Sequence, residues 1–347
     1  MLLQDKRILI TGGTGSFGQA FVRRALGGEL GVPKKVIVFS RDEAKQYDMN
    51  VGYARAGKDA AGVTRRRPEF RIADIRNSSD VCSALREVDI VIHTAAMKQV
   101  PTCEYYPDKA IETNCIGAFN LVRAIRENGY PVETVLTVST DKACNPTNTM
   151  GMTKALQERI MIAANVLSPE TRFIAVRCGN LLASRGSVIP LFHKQIRDGG
   201  PITVTAPEMT RFFMSLDQAV DTIIEALRSA RRGEILIPKA SSLRIENLAR
   251  ALIGDRKLKI EVVGVRPGER MHEPLISEEE SHHSVPRGEY FTILPTLPEL
   301  TEAGDAKETP LGAVYTSETD VLDLEGTVAF LREHGLMLDD AAPGGSC

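Results

Sequence analysis

Arg7-Ile8-Leu9-Ile10-Thr11-Gly12-Gly13-Thr14-Gly15-Ser16-Phe17-Gly18 decides the fold. Residues 7–10 make a short, almost wholly apolar run, as expected of a strand covered on both faces. Gly12, Gly15 and Gly18 follow at GxxGxxG spacing, and helical spacing begins at Gln19 and runs to Leu26. Missing side chains permit a tight turn and close backbone approach to a pyrophosphate, which the N–H groups at the helix start can bind. A glycine pattern alone is weak evidence; between a strand and a helix it is strong. Thr11, Gly12, Thr14, Gly15, Ser16, Phe17 and Gly18 are the predicted cradle of a dinucleotide.

Further strand-like runs lie at 36–39, 70–72, 90–93, 135–138 and 173–176, with helical spacing over 110–127 and 151–166. Short β-branched strands alternating with helices predict an α/β fold, a doubly wound parallel sheet of the Rossmann type. After Asn180 the rhythm changes. An extended run at 202–205 sits among glycines and prolines, and a helix is expected from Ser215 to Leu227. Strands follow at 235–237 and 260–263, and helices at 245–253 and 323–336. The expected organisation is a dinucleotide-binding domain over 1–180, with part of 215–240 returning to it. A smaller α/β lobe would span 181–300, and a C-terminal helix and tail 301–347.

Forty-three Lys+Arg against 45 Asp+Glu gives a net charge of -2 in 347 residues, which argues against nucleic-acid binding by bulk positive charge. No run reaches the ~18 apolar residues of a membrane span. The first strand begins too early for a signal peptide, so a cytoplasmic protein is expected. The six cysteines form no CxxC pair and no group with histidines at ligand spacing, so no metal site is predicted.

Cofactor type depends on the end of the second strand, where an acidic residue would hold the ribose of NAD. Ser40-Arg41 stands there instead, a hydroxyl and a guanidinium suited to a 2′-phosphate, so NADP is favoured over NAD. Asp74 is the predicted adenine neighbour, and Ala95, after the fourth strand, is small enough to pass close to the cofactor.

The fifth strand runs into Ser139-Thr140-Asp141-Lys142-Ala143-Cys144-Asn145-Pro146, then Asn148 to Lys154, beyond the carboxyl end of the sheet where ligands bind. This segment resembles the extended short-chain dehydrogenases/reductases, and Thr-Asp-Lys resembles the C5-inverting nucleotide-sugar 4,6-dehydratases acting on UDP-N-acetylglucosamine. The likeness continues through residues 93–101, 113–117, 211–216 and 265–273. One position departs from it: the family's usual tyrosine, four residues before Lys154, is Met150. A thioether cannot accept a proton from a sugar hydroxyl. A subset of these enzymes, linked to bacterial surface sugars, is similar in carrying methionine there.

The resemblance implies a redox-neutral cycle for bacterial surface or secondary-metabolite sugar synthesis. Hydride leaves C4 for bound NADP, the C5 proton becomes acidic, water leaves from C6, and the hydride returns to C6. The product is a UDP-2-acetamido-2,6-dideoxy-4-hexulose, inverted at C5. By the same analogy Lys142 acts at C5 and Asp141 is the acid toward O6, while Lys154 holds the nicotinamide ribose. Lys154, Lys142 or a water held by Thr140 could take the C4 hydroxyl proton. Asp141 and Lys142 can reach one sugar only if the chain turns at Asp141. Lys98, Asn180, Arg211 and Arg266 are the implied contacts to the sugar nucleotide, and a homo-oligomer is implied. A 4-epimerase, a 5,6-dehydratase and a silent NADP-binding regulator remain as alternatives.

Overall fold

The computed structural model describes residues 1–55, 66–182, 187–265, 268–302, 304–305 and 308–338. Arg266 and the expected tail from 341 onward, with Cys347, lie outside them. The first half alternates as expected: β1 (Arg7–Thr11), α1 (Ser16–Leu26), β2 (Lys35–Ser40), α2 (Glu43–Arg55), β3 (Glu69–Ile72), α3 (Ser78–Leu85) and β4 (Ile90–His93). Then come two short helices, α4 (Val100–Tyr105) and α5 (Pro107–Ala110), and a π-helical stretch, Ile111–Ile116, leading into α6 (Gly117–Asn128). β5 (Thr134–Thr140) ends in a 3₁₀ turn, Asp141–Ala143, followed by α7 (Thr149–Leu167) and β6 (Arg172–Cys178).

Beyond β6 come β7 (Asn180–Leu181), α8 (Val188–Arg197), β8 (Ile202–Val204), β9 (Thr210–Met214), α9 (Leu216–Ser229) and β10 (Ile235–Pro238). β11 (Ser241–Arg244), α10 (Ile245–Ile253), β12 (Ile260–Val262), β13 (Pro274–Ile276) and α11 (Glu278–Ser281) follow. The chain closes with a hairpin, β14 (Ser284–Arg287) and β15 (Tyr290–Ile293), then β16 (Tyr315–Thr316), β17 (Val321–Leu322) and α12 (Leu324–Glu333).

The main sheet has nine strands in the order β14-β15-β10-β6-β5-β4-β1-β2-β3. β1 to β6 and β10 run parallel, and the hairpin adds antiparallel at the β10 edge. Strand order reverses between β1 and β4, which opens the crevice at the carboxyl ends of these strands. Alternation along β1 explains why both faces are covered. Ile8 and Ile10 pack with Phe21, Val22 and Ile223, whereas Leu9 joins Leu121, Ile125 and Val135 on the other face. Each such side chain contributes about 1.5–3 kcal/mol by leaving water.

The later chain builds its own core from α8, β8, α10 and α12, including Phe192, Ile196, Leu248, Leu252 and Leu331. A second sheet, β17-β11-β9-β7, connects this region to the end of β6. α9 starts where expected because Ser215 and Gln218 form a reciprocal cap. Buried Arg177 ties the regions together, with bidentate bonds to Glu158 on α7 and Glu280 on α11. The cysteines at 103, 115, 144 and 178 are buried and free.

Candidate active site

A cleft of about 950 Å³ lies over the carboxyl ends of the strands, bounded by the glycine turn, the end of β5, the start of α7 and the later lobe. Thr14, Gly15, Ser16 and Phe17 line it. Gly12 sits at φ +67, and a Cβ there would lie 2.8 Å from the Ala95 backbone, so only glycine allows the β1 turn to meet β4. Side chains cap α3, α7 and α9 through Asn77, Asn148 and Ser215. α1 has no side-chain cap. α4, α8 and α10 lack one too; what fits a pyrophosphate at α1 is that its start, at residues 15–17, lines the cleft just after the glycine turn. Thr11 and Gly18 are placed differently from the other cradle residues. Thr11 Oγ1 turns inward, 2.7 Å from His93 Nδ1, and Gly18 packs on Gly13.

Ser40, Arg41, Asp74 and Ala95 also line the cleft. Ser40 Oγ is 2.8 Å from Thr14 Oγ1 and accepts from the Asp42 amide. The Arg41 guanidinium is mostly exposed, 3.9 Å from Asp74. Arg76 forms the stronger contacts to Asp74, down to 2.6 Å, and these hold its carboxyl below the usual range.

The Thr-Asp-Lys segment does turn at Asp141, but the turn buries the carboxylate. Asp141 is 0% exposed and is absent from the cleft wall, while Thr140 and Lys142 on either side line it. Asp141 Oδ1 accepts from Thr140 Oγ1 at 2.7 Å, the Lys142 amide at 2.9 Å and Lys142 Nζ at 3.0 Å. Lys142 Nζ also donates to Asn180 Oδ1 at 3.2 Å and stands 3.6 Å from Glu273 Oε1. Burial pushes Lys142 down, yet Asp141 and Glu273 outweigh it, and its pKa ends above the ordinary value. Burial, with Asp141 adding to it, raises Glu273 against the pull of Lys142 and Arg211.

Met150 lines the cleft and is 5% exposed, packed with Cys103 and Ala110. A Cβ on the next residue, Gly151, would fall 2.1 Å from the Lys142 carbonyl, so this glycine lets α7 press against the reactive turn. Lys154, one turn further along, is 6% exposed and lines the same cleft. Its Nζ donates to the Val138 carbonyl at 2.6 Å and to Gln157 Oε1. Burial lowers it to about 8, although Glu158 pulls the other way. Gln157 Nε2 lies 2.8 Å from His93 Nε2, completing a buried chain from Lys154 to Thr11. Burial, then the Lys154 charge, pushes His93 down to about 3, so its ring is neutral.

Lys98 and Asn180 line the cleft, as does Arg211. Both terminal nitrogens of Arg211, however, donate to backbone carbonyls of Thr210, Arg270 and Met271. Tyr105 and Tyr106 are exposed and do not line the cleft. Glu273, Gln157 and His93 drew no role from the sequence. Gln157 carried a signal, since it stands three residues after Lys154 and so on the same helical side. Glu273 and His93 carried one too, since both stand in stretches of the family resemblance (265–273 and 93–101), although only tertiary packing brings Glu273, just before β13, to the cleft.

The family described as "Polysaccharide biosynthesis protein" matches residues 8–295. A "UDP-glucose 4-epimerase" of Rickettsia bellii is 44% identical over 294 residues, 83% of each chain. A "UDP-N-acetylglucosamine 4,6-dehydratase (inverting)" of Campylobacter jejuni is 40% identical over 314 residues, 90% of this chain and 89% of that one. The X-ray structure of Pen from Bacillus thuringiensis superposes with a TM-score of 0.85 at 34% identity, covering 96% of this chain and 99% of that chain.

Proposed function

We propose that this chain, which belongs to the polysaccharide biosynthesis protein family of extended short-chain dehydrogenases/reductases, is a nucleotide-sugar 4,6-dehydratase. Its substrate in this reading is UDP-N-acetylglucosamine, and its product the 2-acetamido-2,6-dideoxy-4-hexulose, inverted at C5. One observation carries the proposal: Lys142 and the uncapped start of α1 open into the same cleft.

The residues at 12 and 14–17, with Ser40, Arg41, Asp74 and Ala95, would hold a nicotinamide dinucleotide. Once bound, it would supply the hydride acceptor for C4 and the hydride donor for C6. Lys154 is best suited to take the C4 hydroxyl proton, because an amine at about 8 is partly neutral near pH 7. Met150 closes the space beside it with an apolar wall. Lys142 acts at the C5 proton, held in place by Asp141 and Asn180. Lys98 would reach the sugar nucleotide from the rim.

NADP is favoured by Arg41, whose exposed guanidinium lies at the end of β2. Arg41→Ala should weaken NADP about tenfold or more while leaving NAD nearly unchanged, since a charge-assisted hydrogen bond is worth ~1.5–3 kcal/mol. Titration calorimetry with both dinucleotides checks this.

The epimerase reading is favoured by the Rickettsia relative's name. Incubation with UDP-N-acetylglucosamine in deuterated water separates the two. A C6 methyl with deuterium at C5 supports dehydration, a C4 epimer without deuterium supports epimerisation, and unchanged substrate defeats both.

A further inference from the structure

Lys154 is held from behind by a chain of neutral groups. Its Nζ donates to the Val138 carbonyl at 2.6 Å and to Gln157 Oε1, which leaves one position on the nitrogen, and Lys154 lines the cleft. Gln157 is 0% exposed and stands three residues further along α7. Its amide oxygen faces an ammonium that can only donate, so its NH2 group is the one that lies 2.8 Å from His93 Nε2. That NH2 donates in turn, so Nε2 must accept. The His93 proton then sits on Nδ1 and is donated to Thr11 Oγ1, 2.7 Å away. Thr11 ends β1 where the glycine turn begins, and its Oγ1 also accepts from the Ala95 amide at 3.4 Å. The three side-chain bonds therefore run in one direction, from Lys154 toward the wall of the dinucleotide cradle.

We infer that Gln157 is the positioning residue for the Lys154 amine, with its own amide held in orientation by His93; its part in the reaction rests on the reading of Lys154 as the C4 base. Among the described residues, Gln157 is the side chain that hydrogen-bonds Lys154 Nζ. The other titratable groups around the amine are spoken for. Glu158, one turn beyond Lys154 on α7, turns both carboxylate oxygens to Arg177 on β6. Cys115, on the π-helical stretch, and Cys178, at the end of β6, are thiols that burial keeps protonated. His93 on β4 is neutral, as an acceptor at Nε2 requires. An amide oxygen in this place fixes the direction of the amine without setting a full negative charge against it, so the proton stays exchangeable. A carboxylate of the same shape would hold that proton on.

The test follows the protein by NMR across pH, with 13C at the lysine ε-carbons and 15N in the histidine rings; Lys154→Met and His93→Gln assign the two signals. In the wild type, His93 should carry its proton on Nδ1 and none on Nε2. Gln157→Glu should raise the Lys154 midpoint by about one pH unit or more, and should move the His93 proton to Nε2, where the new carboxylate accepts it. Gln157→Met, which removes the acceptor, should lower the midpoint. A wild-type His93 protonated on Nε2, or a Lys154 midpoint that stays put in folded Gln157→Glu, would overturn the assignment. Should neither variant fold, the wild-type tautomer decides alone. C4 oxidation with UDP-N-acetylglucosamine, read by dinucleotide absorbance over the same pH range, tests the reading beneath. A rate midpoint that moves with the amine supports both. An amine midpoint that moves while the rate profile stays leaves Gln157 its role and removes Lys154 as the C4 base.

Discussion

Two lysines enter one cleft from consecutive elements, and their surroundings drive them apart. Lys142, on the turn after β5, sits between Asp141 and Glu273 and is held more firmly protonated than a free lysine. Lys154, on α7, donates to neutral acceptors, the Val138 carbonyl and the Gln157 amide, and burial outweighs the pull of Glu158 and takes it to about 8. Burial acts on both in the same direction; the carboxylates decide the outcome. The same side chain thus gives up its proton more readily than a free lysine at one end of the cleft. At the other it is an ammonium that must first hand one on.

Lys142→Ala is the hardest test of this division. It should cut dehydration by about 10³-fold while dinucleotide binding persists, as read by product NMR and by cofactor titration. Full turnover would erase the distinction between the two sites. Gly151→Ala probes the contact that sets their spacing, since the new methyl group would collide with the Lys142 carbonyl. We expect about 1–3 kcal/mol of lost stability and a drop in turnover that exceeds any loss of cofactor binding. A melting temperature and rate unchanged from the wild type would show that the turn yields freely.

Lys154 makes a prediction about pH. If its amine is the C4 base, the rate of C4 oxidation rises about tenfold per unit below pH 8 and levels above it, and Lys154→Arg flattens the profile. Stability follows the same group. Its folded value lies below the free-lysine 10.5, so the unfolded chain binds more protons between about 8 and 10.5. Stability from this group therefore rises with pH across that window, and Lys154→Met removes the rise in chemical denaturation. The smallest effect is expected for Met150→Tyr. Restoring a phenol beside Lys154 should leave C4 oxidation within about threefold of the wild type or increase it, followed by cofactor absorbance.

Much of this was legible along the chain. β1, its glycine turn and α1 follow from local residues, and so do the seven parallel strands of the main sheet. The turn at Asp141 was also legible, from the need to break the alternation of an extended strand. Its consequence was not: the 3₁₀ geometry buries the carboxylate and leaves Thr140 and Lys142 on the cleft wall without it. α8 was missed because Pro190 stands in its first turn, where proline is tolerated but reads as a breaker. The β14–β15 hairpin was missed because its strands gain their identity only by pairing with β10. Glu273 and His93 stood in stretches that carry the resemblance, but their contacts come from neighbours distant in sequence.

The central claim is that one cleft carries out oxidation, elimination and reduction on a single sugar. Substrate bearing deuterium at C4 tests it most directly, with the product followed by NMR and mass spectrometry. The account predicts that the C4 label arrives in the C6 methyl group of the same molecule. Label that remains at C4, or methyl groups that carry none of it, would contradict the account.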